Sequence, residues 1–236
     1  MKKTADIRKI VFIILNIIVI GLVMYWDFMY YEHGRTWRKG TASAMFVLLG
    51  AVNLIYALLN KSVNLKYPTV MTAGFVLGML GDIVINYEFI PGAALFALGH
   101  VFYFAALCFL IPFGKADALA GGILTVISIG VLQLCPVFVF DDPVIEIICC
   151  VYGVIISFMF GKAVSNLIQV RNLQNILIVI GCFLFYFSDL MLVFDWFSDF
   201  DEYAGELCLF TYYHAQCILG AAIFITAMKS KSEKGQ

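Results

Sequence analysis

The chain has 236 residues, of which 63% are hydrophobic and only 13% charged, and its mean hydropathy is +0.96. Soluble domains carry about 25% charged residues, so this composition excludes a water-soluble globule. The net charge is −1 and the chain has no dense basic tract, which argues against nucleic acid as a partner. At about 20 apolar residues for each spanning helix, this length fits eight crossings in a single transmembrane domain over residues 1–236.

Apolar runs separated by charged or Pro/Gly-bearing breaks predict the helices in chain order. The predicted spans are 10–26, 41–59, 69–86, 92–111, 119–140, 144–165, 175–194 and 206–228. The intervening loops are short, so consecutive helices are expected to run antiparallel. The predicted fold class is therefore an all-α integral membrane protein with eight transmembrane helices in one bundle. A bacterial inner membrane and the endoplasmic reticulum both fit this pattern.

Basic residues divide unequally between the two sides of the predicted bundle. With the N-terminus in the cytoplasm, twelve Lys and Arg residues lie on the cytoplasmic side and only Arg35, Arg38 and Lys39 lie opposite. The positive-inside rule therefore predicts that both termini are cytoplasmic. The basic cluster at 35–39 is the one group that runs against the rule.

Once all other charges are assigned to one side of the membrane or the other, two acidic residues remain, Asp82 in helix 3 and Asp189 in helix 7. An unpaired carboxylate in hydrocarbon costs several kcal/mol by insertion scales, so such residues are expected to face the bundle interior and to be functional. The helix that follows each of them carries further polar side chains. These are His100, Tyr103, Tyr213 and Gln216. Helices 3 and 4 thus carry the same kinds of residue as helices 7 and 8. This similarity favours a parallel repeat of two four-helix units, with the two Asp facing each other.

The depth of Asp82 and Asp189 in their helices predicts a shared chemistry. At 1.5 Å of rise per residue, both carboxyl groups lie about 7 to 9 Å inside the non-cytoplasmic helix ends. Two carboxyl groups in a low-dielectric pocket cannot both ionise cheaply, so the pair is predicted to act as an acid and a base. Such a pair suits hydrolysis of an acid-labile ether. The sequence has no metal-ligand cluster, nucleophile elbow or phosphate loop, and no cofactor is predicted.

Short motifs in helices 3, 4, 7 and 8 have a specific order and spacing. They are Gly81-Asp82 with Ile85, Phe89-x-x-Gly92-x3-Phe96-x3-His100-x-x-Tyr103, Gly181-x3-Phe185-x-x-Ser188-Asp189-x-x-Leu192 and Tyr212-Tyr213-x-Ala215-Gln216. Together they resemble the lysoplasmalogenase family, also called YhhN-like, of integral membrane alkenyl-ether hydrolases. The resemblance covers about residues 66–220. Lys66-Tyr67-Pro68 departs from the adjacent Lys-Pro of that family.

The resemblance implies an activity and a set of site residues. The family cleaves the vinyl-ether bond of a lysoplasmalogen, a membrane lysophospholipid, and releases a fatty aldehyde and glycerophosphoethanolamine or glycerophosphocholine without a metal. Asp82 and Asp189 are then the catalytic pair, with neither assigned as the acid. The candidates for binding the substrate or orienting water are His100, Tyr103, Ser188, Tyr213 and Gln216.

Two other functions fit paired intramembrane acids. Buried acids also mark proton relays, so a proton-coupled carrier of a small lipid or metabolite is the alternative. No predicted helix has the central Gly/Pro break that carriers use, which counts against it. A di-aspartyl protease ranks last. Asp82 stands in Gly-x-x-Gly-Asp, not in the Gly-x-Gly-Asp that resembles that family, and Asp189 follows Ser188 where a Tyr would be expected.

Tyr212, close to a predicted helix end, is assigned to the interfacial aromatic belt.

Overall fold

The computed structural model describes residues 2–199 and 201–232 and, within them, eight α-helices and no strand. The helices are α1 (Lys2–His33), α2 (Thr36–Leu59), α3 (Lys66–Val84), α4 (Phe89–Leu110), α5 (Lys115–Leu134), α6 (Pro143–Gln169), α7 (Leu173–Phe197) and α8 (Asp201–Ser232). Each contains a stretch long and apolar enough to cross a membrane. The prediction of an all-α protein with eight membrane-spanning helices is confirmed.

Two helix boundaries differ from the sequence prediction in ways that matter for the site. Helix α5 ends at Leu134 instead of residue 140, because Pro136 lacks an N–H donor and restricts the residue before it. Helix α2 begins at Thr36 instead of residue 41. Lys39 was predicted to lie in the loop before helix 2, and this was wrong: it lies in the first turn of α2 with a side chain only 12% exposed. Its position on the non-cytoplasmic side stays a prediction.

Contacts between helices follow a pattern that recurs in the two halves of the chain. The pairs α1–α2, α2–α3 and α3–α4 correspond to α5–α6, α6–α7 and α7–α8. Between the halves, α2 packs on α8 and α4 packs on α6. These two pairs are equivalent if α1 to α4 are exchanged with α5 to α8. A parallel repeat would produce these pairs, whereas the smaller α1–α8 and α3–α8 contacts have no counterpart in the other half. The repeat itself and the cytoplasmic position of both termini stay predictions.

Small residues bring α3 and α4 close together. A Cβ atom at Gly74 would overlap the ring of Tyr103, and one at Gly99 would lie 3.4 Å from the Gly74 carbonyl oxygen. One turn further along α3, a Cβ at Gly78 would lie 3.1 Å from Gln216 Nε2 and 3.3 Å from the Tyr212 hydroxyl. The glycines therefore leave the volume that large side chains of α4 and α8 occupy beside α3.

A buried ion pair joins α5 to α6. Lys162 Nζ lies 3.0 Å from Asp117 Oδ2, and the two side chains are 0% and 1% exposed. Asp117 also accepts a 2.6 Å hydrogen bond from the Gly114 backbone N–H at the start of α5. Lys162 was predicted to be one of the charges on the cytoplasmic side, and only Asp82 and Asp189 were predicted as charges inside the bundle. The second prediction was wrong, because α6 continues to Gln169 and Lys162 is buried there with Asp117.

Removing one member of this pair should destabilise the bundle. Lys162→Met should lower the free energy of unfolding by about 3 to 5 kcal/mol, because it leaves a buried carboxylate without its cation. The double variant Lys162→Met/Asp117→Asn should lower the free energy of unfolding by less than Lys162→Met alone. Unfolding in detergent micelles measures both changes, with exposed Lys115→Met as a control that should stay within about 0.5 kcal/mol of the parent. A Lys162→Met variant as stable as the control would contradict the structural role of the pair.

Candidate active site

Asp82 is held by side chains from two neighbouring helices. Its Oδ2 accepts hydrogen bonds from the Ser43 hydroxyl of α2 at 2.6 Å and from the Tyr212 hydroxyl of α8 at 2.7 Å. Its Oδ1 lies 3.6 Å from Lys39 Nζ. The residue is only 1% exposed. Two hydroxyl donors and an ammonium group are the partners that a buried carboxylate needs.

Asp189 has a different set of partners. Its Oδ2 accepts a 2.8 Å hydrogen bond from the Tyr152 hydroxyl of α6 and lies 3.5 Å from His100 Nε2 of α4. The Tyr152 oxygen is also 3.2 Å from His100 Nδ1, so the three side chains form one cluster. The Asp189 side chain is 12% exposed. A phenol and an imidazole therefore stand beside this carboxyl group, where Asp82 has an ammonium group.

The two carboxyl groups line one cavity. Its volume of about 30 Å³ is enough to hold a water molecule. The other lining residues are Lys39, Ile85, Phe96, Ser188, Leu192, Cys208, Leu209 and Tyr212. Most of these side chains are apolar or aromatic, so the cavity is a low-dielectric site with acid groups from two different helices.

Of the five residues predicted to bind substrate, only Ser188 lines this cavity. Its hydroxyl donates to the Cys208 carbonyl at 2.9 Å and ties α7 to α8. Tyr103 donates to Gln216 Oε1 at 3.0 Å, and both residues are buried away from the cavity. The Tyr213 hydroxyl lies 3.3 Å from Ser43 Oγ, which itself donates to Asp82.

These positions separate the other predicted binding residues into two groups. His100 contacts Asp189 directly, whereas Tyr103, Tyr213 and Gln216 pack behind the carboxyl groups without lining the cavity between them. The geometry suits the second group to holding the helices and the Asp82 partners in place. Direct contact of these three with a substrate stays a prediction.

Four residues that contact the acids were absent from the predicted site. They are Lys39, Ser43, Tyr152 and Tyr212. The assignment of Tyr212 to the interfacial belt was wrong, because α8 begins at Asp201 and places Tyr212 about 16 Å inside the helix. Lys39 did carry a signal, since its cluster violated the positive-inside rule. Nothing in the sequence marks Tyr152 or Ser43 among the other residues of their apolar helices.

The arrangement offers proton transfer to and from a molecule placed between the two acids. Asp82 has an ammonium group nearby, whereas Asp189 has a phenol and an imidazole. The two environments differ, and this is the condition under which a carboxyl pair divides into a proton donor and a base. Among the residues that the structure describes, no three His, Cys, Asp or Glu side chains are grouped so as to hold a metal ion.

Comparison with known proteins identifies the family. No curated protein and no solved structure matches the chain. The model of the YhhN family matches residues 37–223, a region that begins just before Lys39 and contains both Asp82 and Asp189. This match covers well over half of the chain and includes every residue described above as a partner of the two acids. The chain therefore belongs to the YhhN family.

Proposed function

We propose that this protein is a lysoplasmalogenase-like hydrolase that cleaves the vinyl-ether bond of a 1-alkenyl lysophospholipid. The products are a fatty aldehyde and glycerophosphoethanolamine or glycerophosphocholine. The observation that carries the proposal is that Asp82 and Asp189 line the same cavity, whose volume fits one water molecule. Membership of the YhhN family and eight helices able to span a membrane support the same class of substrate.

The partners of the two acids support a division of roles. Lys39 compensates negative charge on Asp82, and two hydroxyl groups donate to the same carboxylate. We therefore assign Asp82 as the base that activates water. Asp189, whose partners are Tyr152 and His100, is assigned as the acid that donates the proton.

The first step is protonation of the alkenyl chain. The Asp189 carboxyl transfers its proton to the vinyl carbon that does not bear oxygen, so the C=C double bond becomes a single bond. The positive charge is shared between the ether oxygen and the adjacent carbon as an oxocarbenium ion. The Asp82 carboxylate stabilises this cation electrostatically, and the low dielectric of the cavity strengthens the attraction between the two charges.

Water completes the reaction. One water molecule adds to the oxocarbenium carbon while Asp82 accepts its proton, which gives a hemiacetal. The hemiacetal then breaks its bond to the glycerol oxygen, which takes the proton held by Asp82, while the hydroxyl oxygen passes its proton to the Asp189 carboxylate and becomes the aldehyde carbonyl. The sum is one water consumed for each vinyl ether cleaved, and both acids return to their starting state.

Replacing either acid by its amide should abolish aldehyde release. Asp82→Asn and Asp189→Asn keep the side-chain shape but transfer no proton, and general acid–base catalysis contributes about 10²- to 10⁴-fold, so losses of that size are expected. The measurement is aldehyde formation from a 1-alkenyl lysolipid by purified protein, with the 1-acyl analogue as a substrate control. Exposed Asp141→Asn is the matched variant and should keep full activity.

Two results would contradict this assignment. Full activity in either amide variant would remove that residue from the mechanism. Wild-type protein that moves the lysolipid across a vesicle membrane without forming aldehyde would favour the proton-coupled carrier. Thermal unfolding of each variant in detergent separates loss of chemistry from loss of fold.

The ammonium group of Lys39 should matter for catalysis. Lys39→Met leaves the Asp82 carboxylate without its cation, and kcat/KM should fall at least tenfold, which is about 1.4 kcal/mol of transition-state free energy. Arg38→Met removes the same charge one residue earlier, where the guanidinium donates to the carbonyls of His33 and Gly34, and should change kcat/KM less than threefold. Equal losses in the two variants would mean that only the overall charge of this helix end counts.

A further inference from the structure

Asp189 borders a second, larger cavity that Asp82 does not line. This cavity lies between α5, α6 and α7 and has a volume of about 130 Å³. Apart from Asp189, Tyr152, Tyr186 and Ser128, its lining consists of glycine, cysteine and aliphatic residues. One carboxyl of the proposed catalytic pair therefore lies between a small cavity shared with the other acid and an apolar one.

The apolar cavity opens toward the lipid. Helix α5 packs on α6, and α6 packs on α7, but the backbones of α5 and α7 do not come into contact among the described residues. Ile127, at the α5 edge of the opening, is 51% exposed, and Val131 one turn away is partly exposed. We call the opening between these two helices the α5–α7 cleft. Its position makes the Asp189 side of the site accessible from the bilayer.

A polar bridge closes the deep end of the cleft. The Ser128 hydroxyl of α5 lies 2.5 Å from the Tyr186 hydroxyl of α7 and 2.8 Å from the Ser157 hydroxyl of α6. Tyr186 precedes Asp189 by three residues, which places the bridge about 4.5 Å deeper along α7. A chain that extends from Asp189 through this cavity meets the bridge at the deep end and can leave sideways between α5 and α7. A cavity between α4, α6 and α7 also borders Asp189, but its volume is only about 40 Å³.

We infer that the α5–α7 cleft binds the alkenyl chain of the substrate, with the vinyl group at Asp189 and the remaining chain in the bilayer. This inference rests on the proposed function. A cavity of about 150 Å³ lined by aliphatic residues can hold a benzene molecule, so 130 Å³ holds the few carbons next to the ether and no more. The glycerol side of the ether then lies toward the small cavity, where Asp82 activates water.

A cavity of greater volume is a less suitable site for the chain. It lies between α1 and α8, with a volume of about 740 Å³, and borders neither Asp82 nor Asp189. Leu209 lines both this groove and the small cavity and so stands between them. Asp27 and Glu206 also line the groove, so a hydrocarbon chain there would contact polar groups. Occupation of this groove is an alternative outcome of the test.

Filling the cleft should weaken binding of the chain. Val131→Phe places a ring in the cleft, and kcat/KM for a 1-alkenyl lysolipid should fall at least tenfold, mainly through KM. Val126→Phe is the matched control, because Val126 lies on the same helix, is 73% exposed and does not line the cleft. Leu207→Trp fills the α1–α8 groove instead. Unchanged activity in Val131→Phe with a tenfold loss in Leu207→Trp would overturn the inference.

A binding experiment decides the same question without activity. A lysolipid with a photoreactive diazirine on the chain, a few carbons from the ether, is crosslinked to wild-type protein and to Asp189→Asn, and the labelled peptides are identified by mass spectrometry. Labels on α5 and α7 that decrease in Val131→Phe support the cleft. Labels on α1 and α8, or none above the level of an unrelated membrane protein, overturn it. Cleft labelling without any aldehyde release would refute the proposed hydrolysis and leave the binding site standing.

Discussion

Burial of two carboxyl groups inside an apolar bundle is the constraint on which the rest of the structure depends. A charged or unpaired acid in hydrocarbon is costly, so each must find donors or a cation on a neighbouring helix. Asp82 finds them on α2 and α8, and Asp189 finds them on α4 and α6. The side chains that satisfy the acids therefore connect six of the eight helices. Gly78 of α3 leaves the space in which the Tyr212 hydroxyl lies beside Asp82.

Two lysine–aspartate pairs in the bundle have different roles. Lys162 and Asp117 are 3.0 Å apart and fully buried, with a capping hydrogen bond to the carboxylate. Lys39 and Asp82 are 3.6 Å apart and line a cavity together. The first arrangement stabilises the helix packing. The second leaves the carboxylate beside a space that a reacting molecule can enter, and this distinction supports the assignment of Asp82 to catalysis.

The helices and the acid pair could be predicted from the sequence because both rest on strong signals. Long apolar runs require membrane spans, and a charge inside such a run requires an interior position. Helix ends are weaker signals. Helix α2 begins after Arg35, which has a φ of 73° and no side-chain cap. The start of the helix was therefore predicted five residues too late, and Lys39 was assigned to the loop. Tyr152 was missed for another reason. In a membrane bundle the lipid-facing and interior faces are both apolar, so periodicity does not identify the residue that faces the acid.

The most direct test of the central claim is a double-mutant cycle on aldehyde release. If Asp82 and Asp189 act as one unit on one bond, the double variant Asp82→Asn/Asp189→Asn should be no less active than the more damaged single variant. The rates of wild type, both single variants and the double variant are compared at saturating 1-alkenyl lysolipid. Losses that multiply, so that the double variant shows the product of the two single losses, would mean that the acids act independently and would contradict the account.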